Sequence, residues 1–528
     1  VEQTHPIPDQ PLELGPSALE PAVPVSPLLV FDIPPSAEPV APAAEPAPTE
    51  TTRPSAASGT DPASKRSTTG GGRRLLEVAV LFVSTILFLR AVAVEPFGVP
   101  TGSMAPTLIG NHRCAHCPRC GYEVRIGEPV HTHRGASGLS CPNCGQTGLP
   151  LDGLPEISGD RLLVDKNVFN LRRPRRWEVA VFRCPADLSK PYVKRVIGLP
   201  GEQVFIHEGD IYINGELARK TLADCRQTCV PVFEMKCVPG SAGWQERWLF
   251  GSQPGLTSTN GMAGAVLSGG ELRLDGTRDP SATAWATYRH FDLDAKQETG
   301  IHDTFAYNGL QAGSTYAVHD FLVSFDVEVL AGSGALHCRL TDGLDAANAY
   351  LAVGMGSEQT RLVQENVGVV RSAGKRLEAG KSYRVEMAFV DRRVSVAVDG
   401  RELFSSFDLP AGPSRSQIEV TRPLSVGVQG VSAIIRNLRL CRDIYYRSAG
   451  QHAVQRPLTL GQDEYFMLGD NSANSDDGRS WQSPGVPERN FLGKPFLLHQ
   501  PSRLGRVEVG SWTREFQSLD WDRIRWLR

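Results

Sequence analysis

Apolar residues run unbroken by charge from Val78 to Leu89, inside a twenty-residue stretch, Leu75–Val94. A helix of that length rises about 30 Å, the thickness of a hydrocarbon core. Glu77 and Arg90 lie near its ends, where a long side chain can reach the headgroups. The pattern predicts a transmembrane helix over 75–94, against the alternative of a buried helix in a soluble domain. No second stretch of this quality follows. Elsewhere the period is two rather than 3.6. Phe321, Val323, Phe325, Val327 and Val329 recur at every second position, and so do Val394, Val396 and Val398 before an Asp399-Gly400 turn. The chain after the helix is therefore expected to be mainly β.

Composition changes the picture at the amino end. Fifteen of the 39 prolines fall in the first 62 residues. Residues 1–72 are rich in Pro, Ala, Ser, Thr and Glu, and such a chain cannot bury enough apolar surface to offset its ordering entropy, so this tail is expected to be disordered. Lys65, Arg66, Arg73 and Arg74 precede the apolar run and place that side in the cytoplasm. Everything beyond Val94 is then expected outside, in a single-pass protein of the cytoplasmic membrane. A net charge of −3 without a long basic run argues against nucleic acid as a partner. The eleven cysteines are an odd number, which argues against a fully paired disulfide framework.

Four blocks carry the chemistry. Glu95-Pro96-Phe97-Gly98-Val99 leads into Pro100-Thr101-Gly102-Ser103-Met104-Ala105-Pro106-Thr107-Leu108. Gly159 through Lys166 follows as a strand-like alternation. Tyr192-Val193-Lys194-Arg195-Val196-Ile197-Gly198-Leu199-Pro200-Gly201-Glu202 is the third. Phe466-Met467-Leu468-Gly469-Asp470-Asn471-Ser472-Ala473-Asn474-Ser475-Asp476-Asp477-Gly478-Arg479 is the fourth. A serine hydroxyl is a weak nucleophile at neutral pH and needs a base. The blocks contain no histidine. A lysine can serve if burial keeps it neutral, and Lys194 stands among Val193, Val196, Ile197 and Leu199.

In these blocks, and in their order behind a transmembrane helix, the sequence resembles the type I signal peptidases, membrane-anchored Ser/Lys endopeptidases. The resemblance covers roughly 75–111, 158–220 and 455–500. It implies that Ser103 attacks the scissile carbonyl and that Lys194 takes its proton. It implies that the Ser103 N–H and the Thr101 hydroxyl hold the oxyanion, that Ser475 orients Lys194, and that Asp477 and Arg479 form a supporting ion pair. Gly478 departs from the pattern, which has a serine there. Lys166 is expected to be structural and Lys190 solvated. Substrates would be secretory preproteins cut after small residues, Ala-X-Ala, met at the bilayer, and no catalytic cofactor is implied.

Two insertions separate these blocks, giving a catalytic core of 95–111, 158–223 and 449–500 with a carboxyl-terminal extension, 501–528. In 112–157, Cys117-Pro118-Arg119-Cys120-Gly121 and Cys141-Pro142-Asn143-Cys144-Gly145 have the spacing of a zinc ribbon, in which Cys117, Cys120, Cys141 and Cys144 hold a structural zinc; disulfides are the competing reading. Cys114, His112, His116, His131 and His133 are expected to be bystanders. Residues 240–445 read as a β-sandwich, similar in rhythm to the concanavalin/laminin-G jelly rolls, with Ile434–Leu440 as a closing strand. Its ligand, a glycan or a protein, is open, as is whether Trp244, Trp248 and Trp285 are exposed. Cys225, Cys229 and Cys237 allow one disulfide with one thiol left over, while Cys338 and Cys441 are compatible with buried small hydrophobic residues. Two other readings fit the blocks less well. A tethered binding protein with an inactive peptidase core would lack a nucleophile or base, and a self-cleaving Ser/Lys repressor would lack the anchor.

Overall fold

The computed structural model describes residues 70–127, 139–149, 153–237, 247–253, 264–309, 315–356, 359–509 and 512–527. The tail, His131, His133 and Trp244 lie outside these. A helix runs from Gly70 to Val92 over the expected span. Its side chains from Leu75 to Val83 are exposed, and those of residues 86–92 lie outside the described set. Among the described residues no helix is long and apolar enough to cross a membrane.

The chain beyond it is mainly β. One antiparallel sheet runs in the order Val94–Gly98, Arg161–Asp165, Phe491–Gln500, Val179–Cys184, Asp187–Gly198, Glu464–Leu468 and Gly485–Pro487. The hairpin in its middle sets the register Ala180↔Lys194 and Val179↔Arg195. Because alternate residues point to opposite faces, Lys194 shares a face with Val196, Ala180 and Phe182, and Arg195 projects from the other. The four-residue strand Asp210–Ile213 belongs to a smaller sheet with Leu458–Thr459, Gln203–His207 and Glu216–Leu217.

Two long strands, Phe321–Thr341 and Leu424–Arg442, organise the large insertion. Residues 321–328 pair with Ser382–Val390, whereas 334–341 pair with Ala346–Val353. The register between the two long strands shifts at Val329/Ala331 and at Gly332/Ala335, so each bends and contributes to both halves of a fourteen-stranded sandwich. Phe321, Val323, Phe325, Val327 and Val329 are all fully buried, as the alternation requires. Asp399 and Gly400 both have positive φ, the geometry of a two-residue hairpin turn. Trp248 and Trp285 are buried, which removes both as exposed aromatic contacts.

The disulfide differs from the expectation. Cys229 bonds to Cys441, 212 residues away, while Cys225, Cys237 and Cys338 remain thiols. The reason is topological. The sandwich begins with the strand Val230–Glu234, which pairs with its final strand at Val230↔Arg442, so the entering and leaving chains lie side by side. A pairing decided by two strand ends cannot be read from local cysteine spacing.

Candidate functional site

The turn Gly102–Met104 is fastened from several directions. Met104 and Leu108 sink into an apolar cluster with Val99, Leu162, Val164, Val179, Val181 and Leu498. The Ala105 N–H closes the turn on the Gly102 carbonyl at 3.0 Å. Asp160, opening the second block, accepts from the Ile109 N–H at 2.7 Å and holds the Arg523 guanidinium at 2.8 and 2.6 Å. Ser103 is half-buried at the centre of this turn, and Thr101 before it is exposed.

Lys194 is 3% exposed. Its ammonium donates to Ser475 Oγ at 2.9 Å. Burial lowers its pKa to about 8. The nearby Asp477 charge opposes this without cancelling it. Lys220 shows the contrast. It is equally buried, but Asp391 and Asp443 stand 3.1 and 2.9 Å from its ammonium; they outweigh the burial and hold it well above the usual lysine range. Buried lysines in one protein thus end in opposite states because only one has carboxylates in contact.

Ser475 is brought to the turn across Gly469. A Cβ at that position would lie 2.1 Å from Ser475 Oγ and 2.5 Å from the Ser103 carbonyl oxygen. Only glycine permits that approach. Arg479 Nε and Nη2 donate to the two Asp477 oxygens, each at 2.9 Å, and Asp477 also accepts from the Gly469 N–H at 3.0 Å. Burial pushes the Asp477 carboxyl up, but Arg479 outweighs it and holds the group below the ordinary carboxylate range. At Gly478 a Cβ would come within 2.8 Å of the Phe466 ring, which accounts for glycine where a serine was expected. Lys166 pairs with Glu95 at 3.4 Å and Lys190 with Asp187 at 3.0 Å, both at the surface.

Sequence reasoning assigned no role to a second charged centre behind the first. Arg195 and Asp470 are both completely buried and joined by bonds of 2.7 and 2.6 Å, with the Thr107 hydroxyl donating to the same carboxylate. The signal was present: a charge directly following Lys194 on a buried strand must project from the opposite face and needs a partner there.

In the smaller insertion, Cys117 and Cys144 Sγ lie 3.5 Å apart and Cys120 and Cys141 Sγ 3.7 Å apart, all buried. These separations exceed a disulfide bond. They approach the ~3.8 Å edge of a tetrahedron with ~2.3 Å zinc–sulfur bonds. Gly121 and Gly145 adopt positive φ and return their N–H groups to Cys117 and Cys141 at 2.9 and 2.8 Å, shaping two knuckles. The four thiolates fit a structural zinc, which would tie the knuckles together. Cys114 faces Arg125 and Glu123 rather than the cluster, and burial pushes its thiol up to about 12. His112 is buried and bonded to the Gly110 carbonyl, and His116 is exposed. Purified protein is expected to hold about one zinc per chain by elemental analysis. A strong chelator should lower the melting temperature. Zinc-free protein with oxidised Cys117 or Cys144 would overturn the assignment.

Comparison with known proteins adds the following. Residues 155–234 and 436–499 match the signal peptidase family, peptidase S26, a quarter or so of the chain. Lys194 and the 475–479 cluster fall inside that match; Thr101 and Ser103 precede it. The chain is 32% identical over 144 residues to signal peptidase I of Pseudomonas aeruginosa, covering 27% of this chain and 37% of that protein. It is 30% identical over 142 residues to signal peptidase I of Rickettsia massiliae, covering 27% of this chain and 43% of that one. The chain thus spans less than half the length of these relatives. A carbohydrate binding module, CBM66 from Bacillus subtilis, aligns with 32% of this chain and 85% of its own at 13% identity and a TM-score of 0.20, a likeness that carries nothing about ligands.

Proposed function

We propose that the chain is a membrane-anchored signal peptidase that removes signal peptides from secretory preproteins by a Ser/Lys mechanism. The observation that carries this reading is Lys194: a 3%-exposed lysine with its pKa lowered to about 8, bonded to Ser475 beside the Ser103 turn. A desolvated lysine without a carboxylate partner is costly to fold around and suits a general base.

Ser103 Oγ attacks the scissile carbonyl as neutral Lys194 accepts its proton. The resulting ammonium then protonates the leaving amine. Ser475 keeps the lysine nitrogen aimed through both transfers. The developing oxyanion is received by the Ser103 N–H and the Thr101 hydroxyl, donors each worth roughly 3 kcal/mol of barrier. The substrate lies extended, with small residues before the cut entering shallow pockets as alternate side chains of a strand do. The Leu75–Val94 segment anchors the enzyme in the cytoplasmic membrane, with the catalytic domain outside, where signal peptides emerge from the bilayer.

The test is incubation of the full chain in detergent with a model preprotein carrying an Ala-X-Ala site, with the cut mapped by mass spectrometry. Cleavage at that site is the expected result. No cleavage, or cleavage unrelated to small residues, overturns the reading. The pH dependence is a sharper check. The base works when neutral, so kcat/KM should climb with pH and reach half its plateau near the lysine's pKa of about 8. At pH 7 about a tenth of the molecules then hold neutral Lys194, against about three in ten thousand for an ordinary lysine. A half-rise above pH 10 would mean that the lysine is solvated.

A further inference from the structure

We propose that the large insertion is part of the catalytic machinery: its segment 303–308 holds the nucleophile turn, with Asn308 and Tyr307 as positioning residues. This rests on the reading of Ser103 as the nucleophile.

Asn308 and Asn471 exchange two side-chain amide bonds. Asn308 Nδ2 donates to Asn471 Oδ1 at 2.7 Å, and Asn471 Nδ2 donates to Asn308 Oδ1 at 2.6 Å. Asn471, itself 4% exposed, uses its remaining donors on the turn. Its Nδ2 also donates to the Gly102 carbonyl at 3.0 Å, and its backbone N–H donates to the Ser103 carbonyl at 3.0 Å. The two carbonyls beside the nucleophile are therefore gripped by one residue, whose amide orientation is set by Asn308. A flipped Asn471 amide would turn its oxygen, rather than its N–H, toward the Gly102 carbonyl. The reciprocal pair removes that choice.

Tyr307 braces the same turn sterically. A Cβ on Gly102 would lie 2.0 Å from Tyr307 Cε1, and one on Gly127, the last residue of the strand Glu123–Gly127 in the smaller insertion, would lie 2.2 Å from the same atom. The ring thus sits against both backbones. Its hydroxyl donates to the Asn111 carbonyl at 3.2 Å. Phe305 stacks on Tyr307 at 5.8 Å and packs on Ala105 and Ile109, the residues that follow the turn. On the far side, Asp303 accepts from Arg447 Nε at 2.6 Å, and the Arg447 carbonyl accepts from Arg479 at 2.9 Å. Four residues of the insertion, Asp303, Phe305, Tyr307 and Asn308, thereby reach the nucleophile turn and the cluster that orients the base. None lies within the four peptidase blocks.

Asn308→Ala removes both amide bonds while leaving every group assigned to the reaction in place. Preprotein cleavage should then show kcat reduced about tenfold, the scale of a sub-ångström misplacement, with KM unchanged. In an Asn471→Ala background the same substitution should cost nothing further, because its effect passes through Asn471. Hydrogen exchange supplies a readout independent of activity: peptides covering 102–105 and 469–475 should exchange faster in Asn308→Ala than in the wild type. A wild-type kcat with unchanged exchange, or losses that simply add, would overturn the positioning role alone. An inert wild-type protein whose turn still loosens in Asn308→Ala would overturn the peptidase reading alone.

Discussion

Lys194→Met should abolish preprotein cleavage and at the same time raise the melting temperature at neutral pH. The two effects have one cause. A lysine whose pKa is lowered to about 8 in the folded protein, against 10.5 unfolded, opposes folding while it is protonated in both states. The shift corresponds to roughly 3 kcal/mol. The sign is fixed by proton uptake: between the two pKa values the unfolded chain binds more protons, so stability contributed at this position rises with pH through that window. Methionine fills a similar volume without the charge. Its gain should therefore be largest below pH 8 and fade toward pH 10.5. Ser103→Ala, by contrast, should lose cleavage by three or more orders of magnitude with little change in melting temperature, because it removes one exposed-side hydroxyl from a turn held by its neighbours. Melting curves of both variants at pH 7 and pH 10, beside a cleavage assay, separate the two. A Lys194→Met protein that melts lower at pH 7 would mean that the lysine is a structural ion-pair partner rather than a base held neutral at a cost.

Asp470→Ala should be the most damaging substitution near the site. The Arg195 guanidinium is completely buried, with its Nε and Nη2 on Asp470 and Nη1 on the Trp177 carbonyl at 2.6 Å. Burial alone would push the guanidinium down, and Asp470 more than compensates. Removing the carboxylate leaves a buried charge with only the Trp177 carbonyl and, at 3.5 Å, the Thr107 hydroxyl as partners, a loss of about 3–5 kcal/mol. It also takes from the Thr107 hydroxyl its carboxylate acceptor, leaving the Gln227 carbonyl at 3.1 Å to hold the segment that follows the Ser103 turn. The pair itself is expected to contribute little beyond its own desolvation. The double variant Arg195→Met/Asp470→Leu should accordingly unfold in urea closer to the wild type than either single variant does. Additive losses in the double variant would show instead that each side chain acts independently.

Much of the site could be read from residues alone because its parts sit in local patterns. Lys194 lies on an apolar strand, and Ser475, Asp477 and Arg479 lie within five positions of one another. The cysteine knuckles are equally local, since each is a single tight turn. The contacts that escaped the sequence join positions far apart. Arg195 finds Asp470 across 275 residues, and Asn308 finds Asn471 across 163. Such pairs are decided by how sheets stack, which no window of sequence contains. The burial of Trp285 has a similar origin: its ring leans over Gly427 on the neighbouring strand and against His337 at 5.2 Å, so its exposure depends on strands more than fifty and a hundred positions away. Gly478 is the instructive intermediate case. The departure from the expected serine was visible, but its cause is the Phe466 ring beneath it.

The side-by-side entry and exit of the sandwich also bears on when the candidate site can be completed. Lys194 and Ser475 are separated by 281 residues of chain. Closing a flexible loop of that size costs about 3–4 kcal/mol more than closing one of a few residues. Once the sandwich has folded, with Val230 opposite Arg442, the intervening chain acts as a short link and most of that penalty disappears. On a ribosome, the same arrangement acts as a delay. The strand that carries Lys194 emerges long before Ser475, and the lysine stays without that hydrogen-bond partner until the inserted unit has closed and the last strands arrive. Under the proposed Ser/Lys mechanism, a chain built this way gains activity only when its synthesis is nearly done.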